Sequence, residues 1–388
     1  MTDFSKRQTR QIHAGTLAIG GGARISVQSM TNTKTTDVEA SAAQVRALAG
    51  AGCDLVRLAV PDMAAARAFG RIREQSPVPL CADIHFDYRL AIEAVAAGAD
   101  KIRINPGNIG GEDRVRAVAA ACRSRGVPIR IGVNSGSLER SLVERYGVTA
   151  EAAVESAARH IEMLERCDFS DICLSIKLSD AGRTIHANLL AAERFPYPLH
   201  IGVTEAGRGE RGLLKSAAGI GGLLAMGVGE TIRVSLTGDP LEEARAAYEI
   251  LRAADRLESG VRVVSCPTCG RTCVDLESVC AAVEALADSI QTDKRLTVAV
   301  MGCAVNGPGE AREADVGLAG GNGDFLLFAG GETIGRFPPD EAFRRLEAEL
   351  RRRALARPVI PRLQKPKEPE RSFHADQSIQ TGAAALYP

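Results

Sequence analysis

Tryptophan is absent from this chain, and aromatic residues make up only 4% of it. A surface that stacks successive bases is therefore not expected. Charge of one sign is not in excess either: 48 lysines and arginines stand against 48 aspartates and glutamates. Such a balance offers no general attraction for nucleic acid or anionic membrane, although local arginines can still bind a small anion. No apolar run approaches the length of a membrane span, because Arg, Glu and Gly interrupt the Ala-rich stretches. The opening residues, MTDFSKRQTRQIHAGTLAIGG, contain no apolar core of signal-peptide length. These features lead us to expect a cytoplasmic protein with no nucleic-acid partner and no membrane association. In that compartment the 10 cysteines are not expected to form disulfides, so the clustered ones need a metal or catalytic explanation.

The length of 388 residues suits one large domain plus a smaller one. From residue 25 to about 255, short β-branched runs alternate with Ala/Leu/Glu-rich helical stretches. The strand candidates are Ile25–Met30, Leu55–Val60, Leu80–Ile84, Lys101–Asn105, Ile129–Asn134, Ile172–Leu178, Leu199–Thr204 and Thr231–Leu236. Several share one grammar, seen in AGAGCDLVRLAV, VAAGADKIRIN and AMGVGETIRVSL: a helix ends near Gly, an acidic residue follows, and a strand begins. Repeated βα units of this kind predict a TIM (β/α)8 barrel over residues 1–258, with a doubly wound open sheet as the competing arrangement. The fold class expected is α/β, the barrel being followed by a smaller α+β unit.

TIM barrels place their chemistry at the C-terminal ends of the strands. Here those ends are polar, with Arg57, Asp83, His85, Arg103, Asn105, Arg130, Asn134, Ser175, Lys177, His200, Glu205, Arg233 and Ser235. Alternate strand residues share a face, so Arg103 with Asn105, Ser175 with Lys177 and Arg233 with Ser235 can point inward as pairs. One or two such cations would fit barrel-layer ion pairs. Arg57, Arg103, Arg130, Lys177 and Arg233 together require an anion, because buried like charges do not persist uncompensated.

Residues 259–357 read as a second unit. It has a strand VRVVS, a helix near Val274–Ser289, a strand LTVAVMG, further strands at Asp315–Leu318 and Phe325–Phe328, and a helix near Asp340–Ala354. Residues 358–388 read as a flexible tail with little core material. The second unit carries Ser-Cys266-Pro-Thr-Cys269-Gly-Arg-Thr-Cys273 and Met-Gly-Cys303-Ala-Val-Asn-Gly-Pro-Gly-Glu310. Thiolates at Cys266, Cys269 and Cys303 suit an iron–sulfur cluster or zinc, and the Gly/Pro-rich backbone lets N–H groups approach the sulfurs. On spacing alone the fourth ligand stays open between Cys273 and Glu310. A zinc ribbon would normally show a second paired knuckle. A radical-SAM site would use the reverse spacing, early in the barrel. Cys53, Cys81, Cys122, Cys167, Cys173 and Cys280 read as small core residues.

The segments SVQSMTNTKTTD, ADIHFDYRLA, KIRINPGNIG, RIGVNSGSL, HIGVTEAG, IRVSLTGDP, SCPTCGRT and MGCAVNGPGEA, in this order and spacing, closely resemble the 4-hydroxy-3-methylbut-2-enyl diphosphate synthase family. The resemblance covers nearly all of residues 5–357 and is to the bacterial two-domain form; the barrel is also similar to that of dihydropteroate synthase. It implies an oxidoreductase of the non-mevalonate isoprenoid pathway, converting 2-C-methyl-D-erythritol 2,4-cyclodiphosphate to 4-hydroxy-3-methylbut-2-enyl diphosphate. It also implies a 4Fe-4S cluster on Cys266, Cys269, Cys303 and Glu310, with reduced flavodoxin or ferredoxin as donor. A homodimer with the active site shared between subunits is implied as well. Family members usually lack a cysteine at the position of Cys273. Under this reading Arg57, Arg103, Asn105, Arg130, Asn134, Ser175, Lys177, Arg233 and Ser235 bind substrate. Asp83, His85, Glu205 and Glu310 are the catalytic candidates. The competing functions are a pterin- or phosphate-binding barrel transferase with a structural zinc domain, and a non-enzymatic cluster-bearing sensor.

Overall fold

The computed structural model describes residues 5–303 and 313–355. Glu310 and the 358–388 tail lie outside the described residues. The strands expected from sequence form an eight-stranded parallel sheet of β3 Ser26–Met30, β4 Leu55–Ala59, β5 Leu80–Asp83, β6 Lys101–Ile104, β7 Ile129–Asn134, β8 Ile172–Lys177, β9 His200–Ile201 and β10 Thr231–Ile232. A parallel bridge between Leu174 and Leu199 joins β8 to β9 and closes the ring. β9 and β10 are shorter than the sequence suggests. Beyond Ile201 and Ile232 the ladder thins to single hydrogen bonds such as Arg233 N–H to the Ile201 carbonyl, 3.0 Å.

The acidic residues of the repeated grammar have a structural task. Asp54, just before β4, accepts the Val27 N–H of β3 at 2.8 Å, and Asp100, before β6, accepts the Leu80 N–H of β5 at 2.8 Å. Glu230, before β10, accepts the Leu199 N–H that leads into β9. Each is also paired with a cation: Asp54 with Arg24, Asp100 with Arg73 and Glu230 with Arg7. The orphan amides at the bottom edge are thereby satisfied. Three of the strands lead in from a proline, Pro79, Pro128 and Pro198, whose carbonyls accept the Val56, Ile102 and Leu174 N–H groups. Proline is tolerated there because it opens a strand.

A hairpin the sequence reading did not anticipate, β1 Ile12–Ala14 with β2 Leu17–Ile19, covers the bottom. Ile12, Ala14 and Ile19 pack against Leu55, Cys81 and Cys173 of the barrel interior. Its alternation is only a few residues long, too short to distinguish from a loop.

Around residues 260–355 a five-stranded sheet has the order β11 Gly260–Ser265, β12 Arg295–Met301, β13 Val316–Gly320, β14 Phe325–Ala329 and β15 Glu332–Phe337. Its first pairings are parallel and its last two antiparallel. Strand β15 was not expected. Its residues are mostly exposed, so it lacks an apolar signature. Helices Leu276–Ser289 and Pro339–Leu355 pack on the sheet through Val283, Leu286, Leu346 and Leu350. Asp315 repeats the barrel device, accepting the Thr297 N–H of β12 at 2.7 Å. Asp255, just after the last barrel helix, pairs with Arg262 at 2.6 Å and Arg295 at 2.8 Å.

Candidate functional site

The barrel strands alternate strictly. Val56, Leu58, Ala82, Ile102, Ile104, Ile131, Val133, Leu174, Ile176 and Ile232 belong to the core shared with the helices. The intervening positions face the barrel axis. With the one-residue stagger per strand of an eight-stranded barrel of this type, the registers place these inward residues in layers drawn from alternate strands. Gln28, Cys81, Arg130 and His200 form one layer. Arg57, Arg103, Ser175 and Arg233 lie above it. Met30, Asp83, Gly132 and Gly202 come next, and Ala59, Asn105, Lys177 and Ser235 form the rim. TIM barrels ordinarily fill these layers with branched apolar side chains; this one fills them with cations and hydrogen-bonding groups.

Two glycines make room for those cations. A Cβ at Gly132 would stand 2.5 Å from Arg103 Nε, and one at Gly202 would stand 2.6 Å from Lys177 Nζ. The side chain of Arg103 occupies space that a larger residue at 132 would fill, and Lys177 with the Arg233 carbonyl, 2.5 Å from such a Cβ, does the same at 202. Sequence reading singled out the cations but not the glycines that accommodate them.

Asp83 is the acid among the upper layers. Its carboxylate lies 3.2 Å from Arg103 Nη1, 3.3 Å from His85 Nε2 and 3.8 Å from Arg57 Nε. Burial alone would raise its pKa, but Arg57, the His85 hydrogen bond and Arg103 outweigh that and hold it well below the usual carboxylate range. These contacts favour the ionised form of Asp83 and tie its carboxylate to Arg57, Arg103 and His85. Arg57 also directs Nε and Nη2 at Met30 Sδ, at 3.1 and 2.9 Å. His85 is exposed at the mouth, beside the exposed Phe86.

Arg130 is buried, and desolvation with neighbouring Arg57 pushes it down to about 9. Burial, Arg233 and Arg130 lower Lys177 well below its ordinary value. Desolvation and Arg57 bring Arg233 down to about 10. Its counter-ion is Glu243, 3.5 Å away on helix Pro240–Ala253. Glu243 was missed from sequence because it sits a helical turn inside an ordinary-looking helix; it also accepts Ser29 Oγ–H and the Leu236 N–H, each at 3.0 Å. Asn105 caps the short helix Pro106–Ile109, accepting the Gly107 N–H at 3.1 Å, while its buried Nδ2 has no partner. Asn134 ends β7, and Ser175 is buried in the layer of Arg57 and Arg103. Glu205 stands apart. It is exposed at φ 53°, and among the described residues its carboxylate makes no hydrogen bond or ion pair.

The cysteine segments follow adjacent parallel strands. Cys266 succeeds β11 and Cys303 follows Gly302 after β12, with Ser265 in register with Val300. Gly302 N–H donates to Cys266 Sγ at 3.1 Å, and Cys273 N–H donates to the Gly302 carbonyl at 2.9 Å. Cys269 is exposed, and the Arg271 backbone N–H favours its thiolate, lowering its pKa. These donors and sulfurs fit a thiolate-bound cluster. Among the described residues, however, no group of three His, Cys, Asp or Glu side chains is gathered tightly enough to hold a metal ion. Cys53, Cys81, Cys122, Cys167 and Cys173 are buried core residues, while Cys280 is half-buried. No helix among the described residues is long and apolar enough to cross a membrane.

Comparison with known proteins gives two family matches: the GcpE TIM-barrel domain over residues 9–248 and the GcpE protein C-terminal domain over residues 262–352. A protein of Ruminiclostridium cellulolyticum is 54% identical over 352 residues, covering 90% of this chain and 99% of its own length. One of Geobacter sulfurreducens is 54% identical over 346 residues, covering 89% and 98%. Both are named 4-hydroxy-3-methylbut-2-en-1-yl diphosphate synthase (flavodoxin). Among solved structures, the Yersinia pestis dihydropteroate synthase aligns at 15% identity and a TM-score of 0.46, over 63% of this chain and 98% of its own.

Proposed function

The chain belongs to the GcpE family, and from that membership we propose how its own residues serve the family reaction. It is an oxidoreductase of the non-mevalonate isoprenoid pathway, reducing 2-C-methyl-D-erythritol 2,4-cyclodiphosphate to 4-hydroxy-3-methylbut-2-enyl diphosphate. In that reaction the ring opens at the C2–O bond and the C3 hydroxyl leaves as water, with two electrons and two protons consumed. The barrel transferase with a zinc domain has no support from these relatives.

The observation that carries the assignment of roles is the charge imbalance of the barrel layers. Arg57, Arg103, Arg130, Lys177 and Arg233 are opposed by Asp83 and Glu243. The diphosphate of the substrate supplies the missing negative charge. Arginine forks suit its oxygens, and Asn105 Nδ2, Asn134, Ser175 and Ser235 add neutral hydrogen bonds. Asp83 holds Arg57, Arg103 and His85 in place. His85 is the proton donor nearest the ionised acid, and Glu205 on its loop is the second candidate.

Cys266, Cys269, Cys303 and Glu310 would hold a 4Fe-4S cluster. When bound, the cluster supplies single electrons and a Lewis-acidic iron to the departing oxygen. Gly302 N–H, already donating to Cys266 Sγ, would remain a hydrogen-bond donor to that sulfur. Flavodoxin is the donor named for the relatives, and ferredoxin is chemically equivalent. The division of labour follows residues 1–258 for the substrate, 259–357 for the cluster and 358–388 as a tail. In a homodimer the cluster unit of one subunit would serve the barrel of the other.

The test is made on protein purified without oxygen. About four irons and four sulfides per chain are expected, with a visible band that bleaches on dithionite and conversion of the cyclodiphosphate under reducing conditions. One zinc and no colour after anaerobic reconstitution would overturn the proposal.

A further inference from the structure

Below the layer of Arg57 and Arg103 the barrel residues are almost wholly buried, and several of their polar atoms lack partners, while His200 Nδ1 lies 3.3 Å from Thr231 Oγ1. Lys101 and His200 are wholly buried, and Gln28 and Arg130 are each 1% exposed. Lys101 Nζ, His200 Nε2, Arg130 Nε and both amide atoms of Gln28 have no hydrogen-bond partner. The registers bring them to neighbouring levels. Gln28, Arg130 and His200 share a layer, and Lys101 on β6 lies one residue below it, in register with Cys81. Beneath them the hairpin residues Ile12, Ala14 and Ile19 are apolar. Among the described residues no carboxylate lies in either level. The nearest acid of the stack, Asp83, sits two levels higher and already serves Arg57, Arg103 and His85.

A lysine and an arginine buried with no acid at their level are costly in a low-dielectric interior unless an anion joins them. Burial first, then Arg130, Lys177 and Lys101, lower the His200 pKa well below its ordinary value. Unpaired donors of Lys101, Arg130 and the Gln28 amide on adjacent levels match the chemistry of an anion. The depth of burial at these levels favours a single small ion over a polyatomic one.

We propose that the barrel floor is a second anion site, built by Lys101, Gln28 and His200 with the unpartnered Nε edge of Arg130, whose guanidinium tip remains part of the substrate cradle, and that it holds one monovalent inorganic anion of the halide class. It is separate from the mouth, where Arg57, Arg103 and Lys177 face the substrate. The ion compensates Lys101 and Arg130 from below, leaving the upper face of the cation stack to the substrate.

Bromide is the probe. Crystals of the full-length protein, purified throughout in sodium bromide, should give an anomalous peak within contact distance of Lys101 Nζ and Gln28 Nε2. Any peak beside Arg57, Arg103 and Lys177 belongs to the mouth and is scored separately. The floor peak should vanish in Lys101→Met while a mouth peak persists. In solution, the wild-type Tm should rise saturably with chloride exchanged for gluconate at fixed ionic strength, and the rise should be lost in Lys101→Met. Should that variant not fold, Gln28→Leu takes its place, and failing both, the wild-type map decides. Water alone at the floor, no density there, or a floor peak unchanged in Lys101→Met would overturn the proposal.

Discussion

Arg103 lies across Gly132, its Nε where a Cβ on that residue would come within 2.5 Å. The clash is with the far end of a flexible side chain, so Gly132→Ala can be accommodated by moving the guanidinium and not the strand. The fold should survive with Tm nearly unchanged, and the KM for the cyclodiphosphate should rise roughly tenfold, about 1.4 kcal/mol. Steady-state kinetics with thermal melting checks this. An unchanged KM would remove Arg103 from the diphosphate cradle.

Ligand identity is tested on the thiols. Cys303→Ser should lose most iron and sulfide, whereas Cys273→Ser should keep both, since Cys273 engages the backbone through its own N–H and its Sγ–H, to Gly302 and Arg271 carbonyls. Retained cluster in Cys303→Ser, or its loss in Cys273→Ser, would rewrite the ligand set.

Shared active sites predict complementation. A Cys303→Ser subunit mixed with an Arg103→Ala subunit should recover part of the activity neither has alone, because one of the two sites would draw an intact half from each chain. No recovery in purified heterodimers would place each cluster over its own barrel.

Proton uptake should accompany anion binding at alkaline pH. Lys177 and Arg130 are bases whose affinity for protons is depressed in the empty barrel, Arg130 to about 9. An arriving anion favours their charged forms and raises both pKa values. Titrating sulfate, which carries no proton of its own at alkaline pH, calorimetrically in buffers of different ionisation enthalpy should show proton uptake near pH 9. Proton release would contradict the sign.

The bottom edge offers a stability test remote from the chemistry. Asp100→Ala strands the Leu80 N–H and frees Arg73. A loss of about 1–3 kcal/mol is expected for a hydrogen bond to a charged group, read as a lower urea midpoint, with kcat per folded molecule intact.

The barrel was legible because its signal is redundant. Outward Val, Ile and Leu alternate with inward polar residues on strand after strand, and the acidic residue before a strand caps the strand beside it. The cations were visible for the same reason, each lying at an inward position. What escaped was information carried by relationships. Gly132 matters only through the side chain lying over it, and Gly202 through Lys177 and the Arg233 carbonyl beside it. Glu243 reaches Arg233 from a helix, and its identity as a counter-ion depends on the return path of that helix. Hairpin β1–β2 and strand β15 were hidden by brevity and by exposure. The carboxylate of Glu205 looked like part of the cluster of strand-end acids, yet the backbone turns it outward beyond β9.

The hairpin at the base makes the barrel a vessel with one doorway. Substrate cannot enter while product occupies the neck, and neither can leave by the stoppered end. If the cluster unit covers that doorway as proposed, it has to lift away once per turnover, and traffic through the opening would then compete with bond breaking to set the pace of the catalytic cycle.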